Sequence, residues 1–406
     1  MEGIYNKTIL DSGLTVITEQ ISYSPISSIG VFIKAGSVVE SEENNGICHF
    51  IEHMVFKGTK NRTSYDISYE IERKGGYLNA YTSKEMTCFY AKVLNSEVEN
   101  ALDILIDIVK NPTFDPKEIK KESKVVVDEI NDIMDTPEEF INDLFEENLY
   151  STIPLRNTVL GKKKNILNFT QDDLLGFINK YYVAENMIVV LVGNMEHNDF
   201  VKLVQKYEVE NKKIAFLRGM EVLKYSVFKK TKSVDYQQAH VMLGMPVAGM
   251  KDKNRMSYNL FSTILGEGSA SILFQKVREQ KGITYQISSF LNSYYDVSTF
   301  GIYFSTNYKK YQKVIDIIYS EFNKLQKKGV KQEDFDRAKD YLKGVYLMQL
   351  ENFNERMFRL ANNEFYYSKN ISINETFKQI ENVSIDDINS IIDIISVDKL
   401  SLLVLK

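Results

Sequence analysis

The sequence contains an internal repeat, which limits the folds that a chain of 406 residues can adopt. The stretch from Thr170 to Gly193 begins with a threonine cap and acidic residues, continues with helical periodicity and ends in an apolar strand pattern. The stretch from Ser384 to Leu405 repeats this order 214 residues later, and His240–Leu243 resembles Gly30–Ile33 at an offset of 210 residues. The chain is therefore predicted to have two similar α+β halves.

The composition is that of a globular protein with more than one domain. Hydrophobic residues make up 44% and charged residues 26% of the chain, whose length exceeds what one ordinary core holds. The formal net charge of −5 argues against nucleic acid as a partner. Two cysteines are too few for a disulfide framework, the N-terminus lacks a targeting pattern, and no apolar run is long enough to span a membrane. These features predict a cytoplasmic protein without a membrane segment.

The segment His49–His53 carries the strongest chemical signal in the chain. Read as a helix, it places His49, Glu52 and His53 on one face. The other face is a continuous apolar stripe formed by Ile47, Phe50, Ile51, Met54 and Val55. Two histidines four residues apart can bind one zinc ion, and the glutamate could take a proton from a water that the metal activates. Taken alone, these three residues are also typical of a solvated polar face; the helix is predicted to end near Gly58.

A second helix, predicted from Pro116 to Met134, offers a further ligand. Glu122 and Glu129 interrupt its apolar face, which is otherwise formed by Ile119, Val126 and Ile133. An ionised carboxylate is costly to bury unless it is paired or bound to a metal. The two glutamates are therefore either a water-exposed helix edge or part of a metal site, and the motif at His49–His53 favours the metal site.

The metal motif is confined to the first half of the chain. At the offset of 210 residues the motif helix corresponds to Asn259–Thr263, which contains no ligand residues. The join falls near the polar, non-periodic segment 209–228. The predicted domains are therefore 1–208, which holds the metal, and 229–406, with 209–228 as a linker.

Two other segments bear on function. Tyr77–Thr82 and Met86–Leu94 have strand patterns joined by a short turn, which predicts a hairpin. The glycine-rich segment 265–271 lacks the spacing of a dinucleotide or phosphate-binding loop. By themselves, Arg278 and Tyr285 would be interpreted as a surface arginine and a packed strand tyrosine.

Together, these motifs resemble those of the M16 metallopeptidases, the family of pitrilysin, insulin-degrading enzyme and the mitochondrial processing peptidase. The resemblance covers nearly the whole chain and is greatest to the short two-domain bacterial members, which are similar to the β subunit of the processing peptidase. His49–Thr59 matches the motif helix of the family. Glu129 follows His53 by 76 residues and Glu122 by seven, which is the spacing of the family.

The resemblance implies a zinc endopeptidase that hydrolyses peptide bonds in short or unfolded peptides. One Zn²⁺ per chain would be bound by His49, His53 and Glu129, with Glu122 in a supporting role. Glu52 would act as the general base toward the attacking water.

The resemblance also implies which residues meet the substrate. Leu78–Thr82 resembles the edge strand of the family, so Asn79 and Ala80 would pair with the backbone of an extended peptide. Arg278 and Tyr285 match a pair that lies near the reaction centre in active relatives. Tyr285 would stabilise the oxyanion, and Arg278 would position the substrate or Tyr285 itself.

The fold implied by the resemblance has two similar domains, each a mostly antiparallel sheet with helices packed on one side. Together they would form half of a clamshell chamber, which a homodimer with shared active sites would complete. The alternative is a non-catalytic peptide-binding or structural subunit of a processing-peptidase-like complex. Related chains of that kind have lost motif residues, whereas His49, Glu52, His53 and Glu129 are all present here.

Overall fold

The computed structural model describes residues 3–150, 154–207 and 225–406, which form two compact units. Each unit contains one β-sheet with helices packed on it, so the predicted α+β fold with two similar domains is confirmed. Among the described residues, the first unit contains 3–131, 157–207 and 349–370, and the remainder forms the second unit. The predicted linker 209–228 lies largely outside the described residues, and the boundaries at 208 and 229 stay a prediction.

The strands divide between the two sheets. They are β1 Ile4–Ile9, β2 Thr15–Gln20, β3 Ile26–Ile33, β4 Tyr77–Thr82, β5 Thr87–Leu94, β6 Met187–Gly193, β7 Lys229–Lys232, β8 Ala239–Ala248, β9 Gln286–Ser293, β10 Val297–Thr306 and β11 Ser401–Leu405. The first sheet has the order β1-β2-β6-β3-β5-β4, and the second has the order β7-β11-β8-β10-β9. In each sheet one pair is parallel, β2 with β6 and β11 with β7, and the other pairs are antiparallel.

The helices begin and end as follows. They are α1 Ile47–Val55, α2 Ser64–Glu72, α3 Val98–Lys110, α4 Pro116–Asp135, α5 Pro137–Leu149, α6 Lys163–Ile166, α7 Gln171–Tyr181, α8 His197–Gln205, α9 Arg255–Gly266, α10 Tyr311–Lys328, α11 Gln332–Gln349, α12 Phe353–Tyr367, α13 Ile373–Asn382 and α14 Ile385–Ile394. The repeated caps are confirmed, because Thr170 and Ser384 accept hydrogen bonds from the backbone of Asp173 and Asp387 in reciprocal capping boxes. No helix in the described ranges combines the length and the apolar character needed to cross a bilayer.

The sheet of the first unit is covered on both faces. Side chains alternate between the faces of a strand, so Val189 and Leu191 of β6 join the core that contains α1, α3 and α7. Val190 and Val192 point to the opposite face and pack with Met357 of α12. The main helical layer thus lies on one side, as predicted, and one helix from late in the chain covers the other side.

The second unit also includes a helix from elsewhere in the chain. Its main core joins the sheet to α9, α10 and α14. α5, which precedes all the strands of this unit in sequence, packs against β8 and β11. Its buried Glu146 accepts hydrogen bonds from Asn292, Tyr294 and Thr299 at 2.8 to 3.2 Å. Each unit is therefore completed by one helix that the sequence-based division assigned to the other half.

Strand β4 forms an edge of the first sheet, since its only neighbour among the described strands is β5. The predicted hairpin is confirmed, with Asn79 opposite Tyr90 and Ala80 opposite Phe89. An edge strand presents unpaired backbone groups, which can pair with an added strand.

Candidate metal centre

The N-terminus of α1 is held by a buried carboxylate. Gly46, which precedes the helix, has φ = +104° and no side chain to cap the first turn. Glu40 supplies the cap from an earlier loop, because its carboxylate accepts hydrogen bonds at 2.8 Å from the backbone N–H groups of Gly46 and Cys48 and from Asn45 Nδ2. Burial raises the pKa of Glu40 even though these hydrogen bonds favour its ionised form.

The two faces of α1 differ as the periodicity predicts. The apolar stripe is at most 2% exposed at each position and consists of Ile47, Phe50, Ile51, Met54 and Val55. His49, Glu52 and His53 point away from this core. The helix ends at Val55, earlier than predicted, and Gly58 (φ +131°) instead forms a short bridge with Thr63.

His49, His53 and Glu129 come together into one group. One donor atom from each residue lies within 4.8 Å of the other two. Oε2 of Glu129 is 3.8 Å from His49 Nε2 and 3.5 Å from His53 Nε2. Tetrahedral zinc bound to nitrogen and oxygen donors keeps its ligands about 3.4 Å apart. The donor types and separations therefore fit one zinc ion.

The protonation state of His49 also suits a metal ligand. Burial, together with the neighbouring His53, lowers the pKa of His49 to about 3. The imidazole is therefore neutral near pH 7, and the neutral form is the one that binds metals. Within the described residues, the buried Nδ1 of His49 has no hydrogen-bond partner.

Glu122 contacts His53 on the ring nitrogen opposite the one that faces Glu129. Oε1 of the buried Glu122 lies 3.0 Å from His53 Nδ1, and Oε2 lies 2.7 Å from Lys57 Nζ. Burial raises the pKa of Glu122, but the hydrogen bonds from His53 and Lys57 outweigh this effect and leave the pKa lowered. An ionised carboxylate only accepts hydrogen bonds, so Nδ1 of His53 donates to Glu122. Nε2, which lies 3.5 Å from Glu129, is then the ring nitrogen left for a metal ion.

Glu52 connects the motif helix to the edge strand. The hydroxyl of Thr82, at the end of β4, donates a 2.5 Å hydrogen bond to Glu52 Oε2. Burial raises the pKa of Glu52. On the same strand, Asn79 is exposed, and its Oδ1 accepts a 2.8 Å hydrogen bond from the backbone N–H of Ala80.

Arg278 and Tyr285 lie in the second unit and contact each other. Arg278 Cζ lies 4.9 Å from the ring centroid of Tyr285 and 4.8 Å from that of Phe274. Tyr285 is 77% exposed, so it is not the packed strand residue that its sequence context alone suggests.

The rings of the other two histidines of the chain form hydrogen bonds with hydroxyl groups. The ring of His197 lies 2.8 and 2.9 Å from the hydroxyl groups of Thr8 and Thr18, and that of His240 lies 2.8 Å from the hydroxyl group of Tyr303.

Sequence reasoning missed three residues of this region. Lys57 lies four residues after His53, which is the spacing of neighbours on one side of a helix, although α1 ends at Val55. Glu40 has a weaker signal, since it is an acidic residue shortly before a helix N-terminus. Thr82 gave no signal, because its contact with Glu52 depends on how β4 packs beside α1.

Two family models match the chain. Residues 15–163 match "Insulinase (Peptidase family M16)", and residues 168–342 match "Peptidase M16 inactive domain". The chain is 33% identical to the uncharacterized zinc protease YmxG of Bacillus subtilis over 375 residues, which cover 91% of the chain and 90% of that relative. It is 34% identical to an uncharacterized zinc protease of Rickettsia felis over 384 residues, covering 94% and 92% of the two proteins.

Two solved structures have the same fold. A protease from Helicobacter pylori superimposes with a TM-score of 0.93 at 22% identity and covers the whole of both chains. A Pseudomonas fluorescens structure described as a peptidase M16 inactive domain superimposes with a TM-score of 0.92 at 20% identity, covering 99% of this chain and 97% of the other.

Proposed function

Because the chain belongs to peptidase family M16, we propose that it is a zinc-dependent endopeptidase that hydrolyses peptide bonds in short or unfolded peptides. The observation that carries the proposal is that His49, His53 and Glu129 each bring one donor atom within 4.8 Å of the other two. The relatives named as zinc proteases support the choice of metal and reaction.

The three converging residues would hold one Zn²⁺ per chain, with Glu122 orienting His53. A zinc ion at this position would supply Lewis-acid chemistry, polarising the scissile carbonyl and making water a stronger acid. Three protein donors would leave one zinc position for water or substrate, as catalytic zinc sites require.

Glu52 would act as the general base. Its carboxylate lies on the same face of α1 as the two histidines, and Thr82 holds Oε2. Glu52 would accept a proton from the attacking water and pass it to the leaving amine.

The substrate would bind along β4 as an added strand. Strand β4 lies at the edge of its sheet, so the backbone groups on its outer side could pair with an extended peptide. The hydrogen bond from Thr82 to Glu52 connects this strand to the proposed general base. Asn79 and Ala80 lie on this strand. Strand pairing uses the peptide backbone more than the side chains, so it would accept unfolded segments of varied sequence.

Tyr285 and Arg278 would complete the chemistry, in the roles that the family resemblance assigns. Tyr285 is exposed and Arg278 lies over its ring, so the tyrosine hydroxyl would be able to donate a hydrogen bond to the oxyanion. We further propose that the protein acts as a homodimer in which Tyr285 of one subunit serves the metal centre of the other.

A quenched-peptide assay tests the function, with and without a chelator and with the variant Glu52→Gln. Cleavage should disappear in both cases and return when zinc is restored to the wild type, while Glu43→Gln, an exposed carboxylate near α1, should remain active. Unfolded casein should be cut and compact domains spared. Cleavage that survives both the chelator and Glu52→Gln would refute the proposal, and bound zinc without cleavage of a broad peptide library would favour the non-catalytic subunit.

A further inference from the structure

The ammonium group of Lys57 contacts one carboxylate oxygen of Glu122, and His53 contacts the other. We propose that Lys57 is a positioning residue of this centre: it fixes the carboxylate of Glu122, which in turn fixes the imidazole of His53. The inference rests on the metal site of the proposed function, not on peptide cleavage, and it adds Lys57, which lies outside the segment His49–His53.

The two oxygens of Glu122 are divided between two partners. Oε1 faces His53 Nδ1 at 3.0 Å, and Oε2 faces Lys57 Nζ at 2.7 Å. A carboxylate held at one oxygen can still turn about its terminal bond, whereas one held at both oxygens cannot. Lys57 therefore fixes the orientation of the Glu122 carboxylate, and with it the direction of the hydrogen bond between Glu122 and His53.

Glu122 depends on this second partner because its surroundings are apolar. Its side chain is 8% exposed, and Ile119 and Val126 on the same face of α4 are buried. A carboxylate in such a place is costly unless its oxygens are paired. The side chain of Lys57 is 32% exposed, so its ammonium keeps contact with water while it pairs with Glu122.

The backbone beyond Lys57 is anchored, which limits where its side chain can reach. The carbonyl of Gly58 accepts a 3.1 Å hydrogen bond from the backbone of Thr113, and Thr59 Oγ1 donates to the buried Asp107 at 2.6 Å. Lys57 thus extends from a fixed segment, as a positioning residue requires.

Loss of an outer partner of a metal ligand typically costs 10- to 100-fold in metal affinity. Lys57 acts one contact further out than Glu122, so its removal should weaken metal binding about tenfold, at the lower end of this range. Lys57→Arg keeps the positive charge and the charge-assisted hydrogen bond, so its metal affinity should stay within about threefold of that of the wild type.

The experiment measures metal affinity rather than turnover. Metal-free full-length protein is titrated with Co²⁺, followed by its visible absorption, and with Zn²⁺ in competition with a chelator. Lys57→Met should raise both dissociation constants about tenfold. The matched control is Lys121→Met, which removes a 70% exposed lysine next to Glu122 in sequence that pairs with Glu118 instead. It should bind both metals like the wild type.

A double variant tests whether Lys57 acts through Glu122. Adding Lys57→Met to Glu122→Gln should cause no further loss of affinity, because the intermediate contact is already gone. Wild-type affinity in Lys57→Met, equal losses in Lys57→Met and Lys121→Met, or full additivity in the double variant would each overturn the inference. A wild-type protein that binds metal but cleaves no peptide would instead refute the proposed function and leave this inference standing.

Discussion

A buried ion pair ties α12 to the sheet that carries the candidate site, and removing its carboxylate should open this part of the first unit. Glu19 of β2 is 1% exposed, and Oε1 accepts hydrogen bonds from Arg356 Nη1 at 2.8 Å and from the backbone N–H of Gly3 at 3.1 Å. Oε2 lies 3.4 Å from Arg359 Nη2. The perturbation is Glu19→Ala.

The expected loss of stability depends on which charged side chains remain buried after the substitution. Glu19→Ala leaves two arginine side chains, each at most 10% exposed, without their carboxylate, and breaking a buried pair in this way costs about 3–5 kcal/mol. Arg356→Ala is milder, since Glu19 keeps Arg359 and the N–H of Gly3, and it should cost about 1–3 kcal/mol. The double variant should cost less than the sum of the two by about 0.5–3 kcal/mol, because both changes break the same contact.

The assay is amide hydrogen exchange of α12 and β2, because two units need not unfold in one transition. A loss of 3–5 kcal/mol raises the opening equilibrium roughly 100- to 4,000-fold. Glu196→Ala is the control, since Glu196 pairs with Gln20, the neighbour of Glu19, at an exposed position. It should change the free energy of opening by less than about 0.5 kcal/mol.

Three outcomes would refute this reasoning. The first is a Glu19→Ala effect below about 1 kcal/mol, which is outside the range for a broken buried pair. The second is an Arg356→Ala effect larger than that of Glu19→Ala. The third is strict additivity in the double variant, which would mean that the two side chains stabilise the unit independently.

At the metal centre, Glu129→Gln should purify with little zinc, whereas Glu122→Gln should keep most of its zinc and lose rate; metal analysis in the reverse order would contradict these roles. Burial raises the pKa of Asp107, but hydrogen bonds from neighbouring side chains outweigh it and leave the pKa lowered. Asp107 therefore stabilises the fold above the ordinary pKa of an aspartate and loses this effect as the pH falls through its lowered value. The difference in Tm between the wild type and Asp107→Asn should accordingly shrink below about pH 4. A difference that does not change with pH would contradict this role of the ionised Asp107. Mixing Glu52→Gln with Tyr285→Phe should restore part of the activity, because a mixed dimer has one site with both residues. Subunit exchange shown with two tags but without recovery would exclude a shared site.

Much of the candidate site could be predicted because its signals are local. The spacing of His49, Glu52 and His53 places three side chains on one helix face wherever the helix lies. Glu129 and Glu122 stood out because carboxylates in an apolar stripe need partners. The family resemblance then connected two segments about 76 residues apart, and the structure brings the predicted group together. Their roles as ligands and support stay a prediction until metal binding is measured.

The residues that support this group depend on contacts between distant segments. Glu40 caps α1 from a loop, and Thr82 reaches Glu52 from an edge strand. Neither contact has a repeating pattern, since each arises where two elements meet. Glu40 would be an ordinary acidic loop residue if the loop ran elsewhere.

The sequence by itself determined the two α+β halves, the motif helix with its two faces, the repeated helix caps and the hairpin of β4 and β5. These features follow from periodicity and capping, which act over a few residues. Only the tertiary structure decided that α12 covers the first sheet and α5 the second. An apolar helix face shows that a helix must be buried but not which sheet buries it, because any sheet with a free apolar face removes the same area from water. That choice depends on specific long-range contacts such as Glu19 with Arg356.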